Sequence, residues 1–447
     1  MSKISKTDHR QSELFRNRLS SQLNPKNELL ILMHKINWSS IEEKWGRYFD
    51  EAKAGRKAKP ARLIAGLLIL QHVHNLSDEE VVKRWVENPY FQHFCGYDYL
   101  QWEFPINPSS LTRWRKRLGA EGVLDLLKET IIVGMKTGVI TEKSVQHVIV
   151  DTTVQEKNIA HPTDSKLMDK ARSKLVDLCK KEGVNLRQNY NKVSKLAVLM
   201  TGRYAHANQF KRMKKKVKEI RNYLGRVVRE IDRNIEKNDE LKGTFEHLLT
   251  TAKRLLSQTK DSKNKLYSLH EQDVQCIAKG KAKKKYEFGC KVSIVTTLNE
   301  GFALSAQALE GNPYDGHTLK DALNLTEKNT EIQINKVFVD KGYKGHGIEN
   351  KEVYISGTRK LSKHLKKMLK RRSVIEPMIG HMKNDGKLGK NYLKGVIGDK
   401  INAVLSAVAH NTRLILNAIV FLYLFLIHIL LKKSKNEGDA ATPFCFT

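Results

Sequence analysis

Two apolar runs, HVIVD at 147–151 and KVFVD at 336–340, each end on a carboxylate, and together they constrain the chain more than any other feature. A short Val/Ile-rich run reads as a buried strand, and an Asp at its end emerges at the sheet edge where open α/β sheets collect ligands. The two aspartates lie 189 residues apart, too far for successive strands of a small sheet, so a large segment is inserted between them. From 165 to 285 the pattern is helical, with NQFKRMKKKVKEIRNYLGRVVREIDRNIEK as a long example. Strands resume at YEFGCKVSIVTT and FALSAQALE. A helix is expected over 317–327, and KEVYIS supplies a further strand before the helical segment RRSVIEPMIGHMK.

A third carboxylate, Glu376, sits in that last segment. Arg372 precedes it by four residues and Lys383 follows by seven, so all three share one helix face. Pro377 disfavours helical geometry at the residue before it but suits a helix's first turn, which places Glu376 at a helix start with backbone donors nearby. Two strand-end aspartates plus a helical glutamate can hold two divalent cations about 4 Å apart. Each acid has a plainer use as a turn or helix-cap residue. The order strand, helical insertion, two strands, helix, two strands, helix is that of a ribonuclease-H-like mixed α/β sheet, with an all-helical segment before it.

The frame R-x3-E-x6-K at 372–383 is accompanied by DTTVQEKNIAHPTDS at 151–165, YAHANQFKRM at 204–213, KNKLYSL at 263–269, YEFGCKVS at 286–293, GNPYDGHTL at 311–319, VDKGYKGH at 339–346 and IGHMKNDGKLGKNYLKG at 379–395. From about residue 60 to 415 the chain resembles the DDE insertion-sequence transposases. Leu369 stands where that family's signature often has Tyr, and the 36 residues from Asp340 to Glu376 match its compact spacing. The resemblance implies that Asp151, Asp340 and Glu376 ligate two Mg²⁺ ions, with Mn²⁺ as a substitute, and that Arg372, Lys383, Lys341 and Tyr343 position DNA, Tyr343 by stacking on a base. It implies transposon-end inverted repeats and target DNA as substrates, attack by water and then by a 3′-hydroxyl, a homodimer or larger synaptic complex, and a cytoplasmic, nucleoid-associated location. A nuclease on the same sheet without strand transfer, and a non-catalytic DNA-binding relic or repressor, are the competing readings. Asp315 and His317 fall in a strand-to-helix turn near this site, Arg371 and Arg372 look suited to phosphate rather than to an ion pair, and His161 and Asp164 read as structural.

Composition points to a polyanionic partner: 80 Lys and Arg against 48 Asp and Glu give a net charge of +32, suited to nucleic acid through counterion release or to an anionic membrane. Residues 165–285 hold 32 of these basic residues against 13 acids, so the insertion is expected to grip DNA backbone, with Lys214, Lys215, Lys216 and Lys218 at its most basic point. A solvated helical pair used in dimer contacts is the alternative. In LTRWRKRLG, Leu111, Trp114 and Leu118 face inward, and Arg113, Arg115, Lys116 and Arg117 are assigned to an outer face that could lie on DNA. Ser77 and Glu80 form a capping box.

The cysteines lack paired spacing, so neither zinc nor a disulfide framework is signalled, and the first residues lack the apolar core of a signal peptide. Residues 414–431 carry no Asp, Glu, Lys or Arg, the lower end of a membrane span, yet Asn417, His428 and the amphipathic lead-in INAVLSAVAHNTRLIL favour core or dimer packing, with no membrane expected. The tail KKSKNEGDAATPFCFT reads as disordered. The expected division is a helical DNA-binding domain over 1–140, a catalytic domain over 141–420, and a hydrophobic helix end with tail over 421–447.

Overall fold

The computed structural model describes residues 16–48, 58–259, 261–278, 285–358 and 360–438, with side chains described to residue 425. They form two compact units, one from residues 1–156 and 291–447, the other from 157–290.

The first unit begins with the helices α1 Leu19–Gln22, α2 Glu28–Lys35, α3 Trp38–Gly46, α4 Ala61–Val73, α5 Asp78–Glu87, α6 Pro89–Phe94, α7 Ser109–Lys136 and α8 Glu142–Val145. Helix α4 is apolar all round and buried from Leu63 to His72, as a helix without a polar face must be. The Ser77/Glu80 capping box starts α5 as expected. Gly119 breaks α7 with φ +62, a backbone state that favours glycine, so the basic LTRWRKRL turn and the apolar stretch after it are two helical pieces.

The sheet follows: β1 His147–Lys157, β3 Tyr286–Thr297, β4 Ala303–Leu309, β5 Lys336–Val339, β6 Glu352–Ile355 and β7 Lys390–Asn391, with β2 Gln275–Ala278 assigned to the insertion. Its order is β3-β1-β5-β6, with β4 outside β3 and β7 against β1. β5 is parallel to both β1 and β6, whereas β3 and β4 are antiparallel. This is the ribonuclease-H-like arrangement expected from the element order. Helices α13 Asp315–Thr330, α14 Lys363–Arg371, α15 Ile375–Asn384 and α16 Gly395–Gly438 complete the unit, with α9 to α12 in the insertion.

Helix α16 packs against α4, α7 and β4, so its residues 401–412 are buried. Its polar side chains are matched by the sheet edge: His410 Nε2 is 2.9 Å from Gly301 O, and Asn411 exchanges two 2.8 Å hydrogen bonds with the Ala303 backbone. These buried residues belong to the amphipathic lead-in; of the run 414–431 expected to pack in a core, Ile415 is the buried residue among those whose side chains are described. Farther along, Phe421, Leu422, Leu424 and Phe425 are exposed, and Gly395–Phe425 is long and apolar enough to cross a membrane. The helix continues to Gly438, so the first seven residues of the expected disordered tail are helical, and 439–447 lie outside the described residues. Within this unit α4 and α7 pack against α16, and α7 and α16 against β4.

The second unit is the insertion: α9 Asp164–Lys181, α10 Asn191–His206, α11 Phe210–Ile235 and α12 Asp239–Ser257. Ile220, Leu224, Val227, Val228, Ile231 and Ile235 of α11 form a helical stripe against Leu175, Phe245 and Leu249, giving the insertion its own core. The helical expectation for 165–285 stops at Ser257. After it, KDSKNKLYSLHEQD breaks the periodicity, and β2 pairs antiparallel with the start of β3, Gln275 opposite Gly289 and Ala278 opposite Tyr286. Where the insertion leaves β1, buried Lys157 is ion-paired with buried Glu271 at 3.4 Å.

Candidate active site

Strands β1 and β5 run parallel with Val150 opposite Val339, so the next residue on each, Asp151 and Asp340, arrives side by side at the carboxyl edge of the sheet. The Thr152 backbone N–H donates to Asp151 Oδ1 at 2.8 Å and fixes that carboxylate's orientation. Glu376 approaches from α15 as its second residue, with Pro377 in the first turn as expected. The helix start is not free, however. A 3₁₀ turn over Arg372–Val374 joins α14 to α15, and the α15 entrance already bonds to Arg372 and Ser373 carbonyls, so it does not offer a full set of open donors.

Arg372 lies among all three acids. Its Nη1 is 3.8 Å from Asp151 Oδ2, and its Nη2 is 3.8 Å from Asp340 Oδ1 and 3.7 Å from Glu376 Oε1. The sequence pointed Arg372 at phosphate because Glu376 was its sole acidic neighbour along the chain, and the sheet supplies the other two. Arg371, by contrast, is exposed and donates to Asn299 O at 3.3 Å.

Asp315, the first residue of α13, is a fourth acid at this edge. Its Oδ1 accepts from Thr152 Oγ1 at 3.0 Å and from Lys291 Nζ at 3.0 Å, and Lys291 also donates to Pro313 O at 2.7 Å. Lys291 interrupts the apolar strand β3, and a lone cation in such a strand was the signal available for it. Gly316 lets the loop after Asp340 close down here, since a Cβ there would lie 3.0 Å from Lys344 O. His317 stands edge-on to Tyr314, ring centroids 5.4 Å apart, and Tyr314 Oη donates to Lys344 O at 3.0 Å.

Tyr343 departs most from expectation. It is 1 % exposed, so its ring is not a platform for a base, and its hydroxyl has no hydrogen-bond partner among the described residues. The loop after Asp340 forms a 3₁₀ turn that tucks the ring inward while leaving Lys341 exposed. Burial, and then the charges of Asp151, Asp315 and Asp340, push its phenol well above the usual tyrosine range, with Arg372 acting in the opposite direction.

The donor set suits a divalent cation: hard carboxylate oxygens, a positive group already among them, and a buried hydroxyl without a partner beside them. As they stand the acids are spread around a guanidinium, and among the described residues no three His, Cys, Asp or Glu surround one point at ligating distance.

Exposed positive charge is carried by several elements of each unit. Lys383 is half-buried near the end of α15. Helix α14, with no buried residue, exposes Lys363, Lys366, Lys367 and Lys370 just before Arg372. Sequence reasoning missed this helix, although the run KHLKKMLKRR carries the signal. On α7, Arg113, Lys116 and Arg117 are exposed, but Arg115 is 4 % exposed and bonds to Asp78 and Gln71. Its assignment to the outer face is corrected: Arg115 is four residues after Leu111 and three before Leu118, which puts it on their buried face. In the insertion Lys214, Lys215 and Lys218 are exposed, while Lys216 donates to Glu219 at 2.7 Å. His161 packs on Phe288, and Asp164 Oδ1 accepts from Gln258 at 3.4 Å, both structural as expected.

The chain matches two protein-family models, "Transposase domain (DUF772)" over residues 17–117 and "Transposase DDE domain" over residues 265–412. It is 48% identical over 199 residues to "Uncharacterized protein ORF8 in nfe locus" of Rhizobium meliloti, a match covering 44% of this chain and 95% of that protein. No solved structure matches the chain.

Proposed function

Because this chain belongs to the DDE insertion-sequence transposases, we propose that it binds the terminal inverted repeats of its own mobile element, hydrolyses a phosphodiester at each end and joins the freed 3′-hydroxyl to target DNA. The observation that carries this reading is the parallel register of β1 and β5, which makes neighbours of Asp151 and Asp340, with Glu376 gathered to them around Arg372. Divalent metal use is general to the DDE domain. Here Asp151, Asp340 and Glu376 would hold two Mg²⁺ ions, with Mn²⁺ as substitute, and bound cations would lower the pKa of an attacking water and offset charge on the scissile phosphate.

The chain's own residues do the rest. Thr152 and the Lys291–Asp315 pair hold the sheet edge in place, so the carboxylates meet the substrate already oriented. Lys383, Lys341 and the exposed lysines of α14 contact backbone phosphates near the cut. Arg113 and Lys116 on α7, and Lys214, Lys215 and Lys218 on α11, extend phosphate contact along the DNA. Two ends must be held together for joining, so a dimer or larger synapse is part of the proposal. The test is incubation of purified protein with a labelled element end, Mg²⁺ and a target plasmid. End-joined products support the proposal, and cleaved ends that never join support a nuclease without strand transfer.

A further inference from the structure

Three carboxylates meeting at a sheet edge repel one another, and a ribonuclease-H-like chain without bound cations must offset that charge from within. Arg372 supplies the offset. Its two terminal nitrogens lie 3.7–3.8 Å from one oxygen each of Asp151, Asp340 and Glu376. That is longer than the roughly 2.7–2.9 Å of a charge-assisted hydrogen bond, so the guanidinium is shared among the acids rather than locked to any of them. A divalent cation requires carboxylate oxygens at about 2.0–2.6 Å, which they cannot provide while the guanidinium stands between them.

A second observation comes from the loop after Asp340. Tyr343, whose backbone N–H donates to Asp340 O at 3.1 Å, carries a buried hydroxyl with no hydrogen-bond partner among the described residues, which is costly for a buried polar atom. Arg372 stands on the 3₁₀ turn between α14 and α15, with exposed Arg371 and Ser373 on either side.

We propose that Arg372 is the resident cation of the carboxylate site in the DNA-free chain, competing with divalent metal for the space between Asp151, Asp340 and Glu376 and released by metal entry to a phosphate of the bound DNA end. This rests on the assignment of the three acids as cation ligands. A guanidinium freed beside that site can take a phosphate through two parallel hydrogen bonds, so metal loading and DNA binding reinforce each other.

The test uses the full-length chain without DNA, titrated with Mn²⁺, with free ion followed by electron paramagnetic resonance. Arg372→Gln removes a competing unit charge and should bind Mn²⁺ about tenfold more tightly than wild type. Asp340→Asn should bind at least about tenfold more weakly, as the loss of a ligand requires. If Arg372→Gln binds no more tightly while Asp340→Asn loses binding, the competition is overturned and the carboxylate site stands. If Asp340→Asn binds like wild type, the site assignment itself fails. A measurement on the wild-type chain guards against a misfolded variant: the guanidinium Nε–H resonance absent from the Arg372→Lys spectrum should shift as Mg²⁺ is added. A resonance that stays fixed through saturation overturns the proposal.

Discussion

Buried Arg115 and half-buried Asp78 form an ion pair that joins α7 to the first turn of α5, with Gln71 bonded to both partners. Burial alone would raise the Asp78 carboxyl, but the Arg115 hydrogen bond and charge outweigh it and hold the group below the usual carboxylate range. Removing Arg115 takes away the cationic partner of Asp78 and leaves the Gln71 amide as a donor to it, so Arg115→Ala should destabilise the chain by about 3 kcal/mol, the low end for a broken buried pair. Arg113→Ala and Lys116→Ala, two and one positions away, should leave the melting temperature nearly unchanged and weaken DNA binding instead. Denaturant titration beside a DNA-binding assay separates the two effects; equal stability losses at all three positions would refute the distinction.

Asp151→Asn, Asp340→Asn and Glu376→Gln should each abolish Mg²⁺-dependent cleavage while end binding remains close to wild type, because a lost ligand costs cation affinity without removing most phosphate contacts. Single-turnover cleavage and gel-shift titration of the same preparations decide it. A variant that still cuts near the wild-type rate removes its residue from the site.

Neutralising Lys214, Lys215 and Lys218 together should flatten the salt dependence of DNA binding, each lost phosphate contact taking about 0.9 from the slope of log K against log salt. Lys216, tied to Glu219 at 2.7 Å, should contribute less when neutralised alone. An unchanged slope for the triple variant would mean that the run is only solvated.

Lys383→Ala should slow cleavage and joining by displacing the DNA end, with a loss of about 2–5 kcal/mol in transition-state stabilisation if its ammonium holds a phosphate. Single-turnover rates at saturating DNA and raised Mg²⁺ are the measurement. Full recovery with added Mg²⁺ would show that Lys383 acts on metal affinity.

Burial lowers His72 to about 3, with help from the Arg115 and Lys387 charges, and lowers His410 to about 4. Both are neutral in the fold, whereas the unfolded chain takes up their protons near pH 6.5. Stability is therefore unaffected by these groups above that pH and falls below it toward about pH 4 and 3, by about 2 kcal/mol per histidine at pH 5. Melting curves at pH 7.5 and 5 should show the drop, and His410→Gln should shrink it. A melting temperature independent of pH over this range would exclude both groups as its source.

The sequence was most legible where chemistry is local. Runs such as HVIVD and KVFVD announce buried strands ending in acids, and the Ser77/Glu80 pair announces a helix start, because the neighbours that matter lie within a few residues. It was least legible where the sheet brings distant residues together. Arg372 has one acidic neighbour in the chain and three in the fold, and Lys291 meets Asp315 only because β3 passes the start of α13. Arg115 is an intermediate case: helical spacing from Leu111 already places it inward, but the surrounding basic residues obscured that. Tyr343 turned inward because the 3₁₀ geometry after Asp340 depends on the packing of α13, which spacing alone does not report.

The parallel pairing of β1 with β5 also sets an order of assembly. It closes a loop of 189 residues, and closure entropy grows with the logarithm of loop length. The insertion has its own hydrophobic core, and the Lys157–Glu271 pair ties its entrance to a residue shortly before β2, so it can collapse early on local contacts. Doing so takes more than half the residues out of the loop and lowers the closure cost by about 1 kcal/mol. During synthesis the basic insertion emerges well before Asp340 and Glu376. A half-made or truncated chain therefore has much of the positive charge but no assembled set of carboxylates.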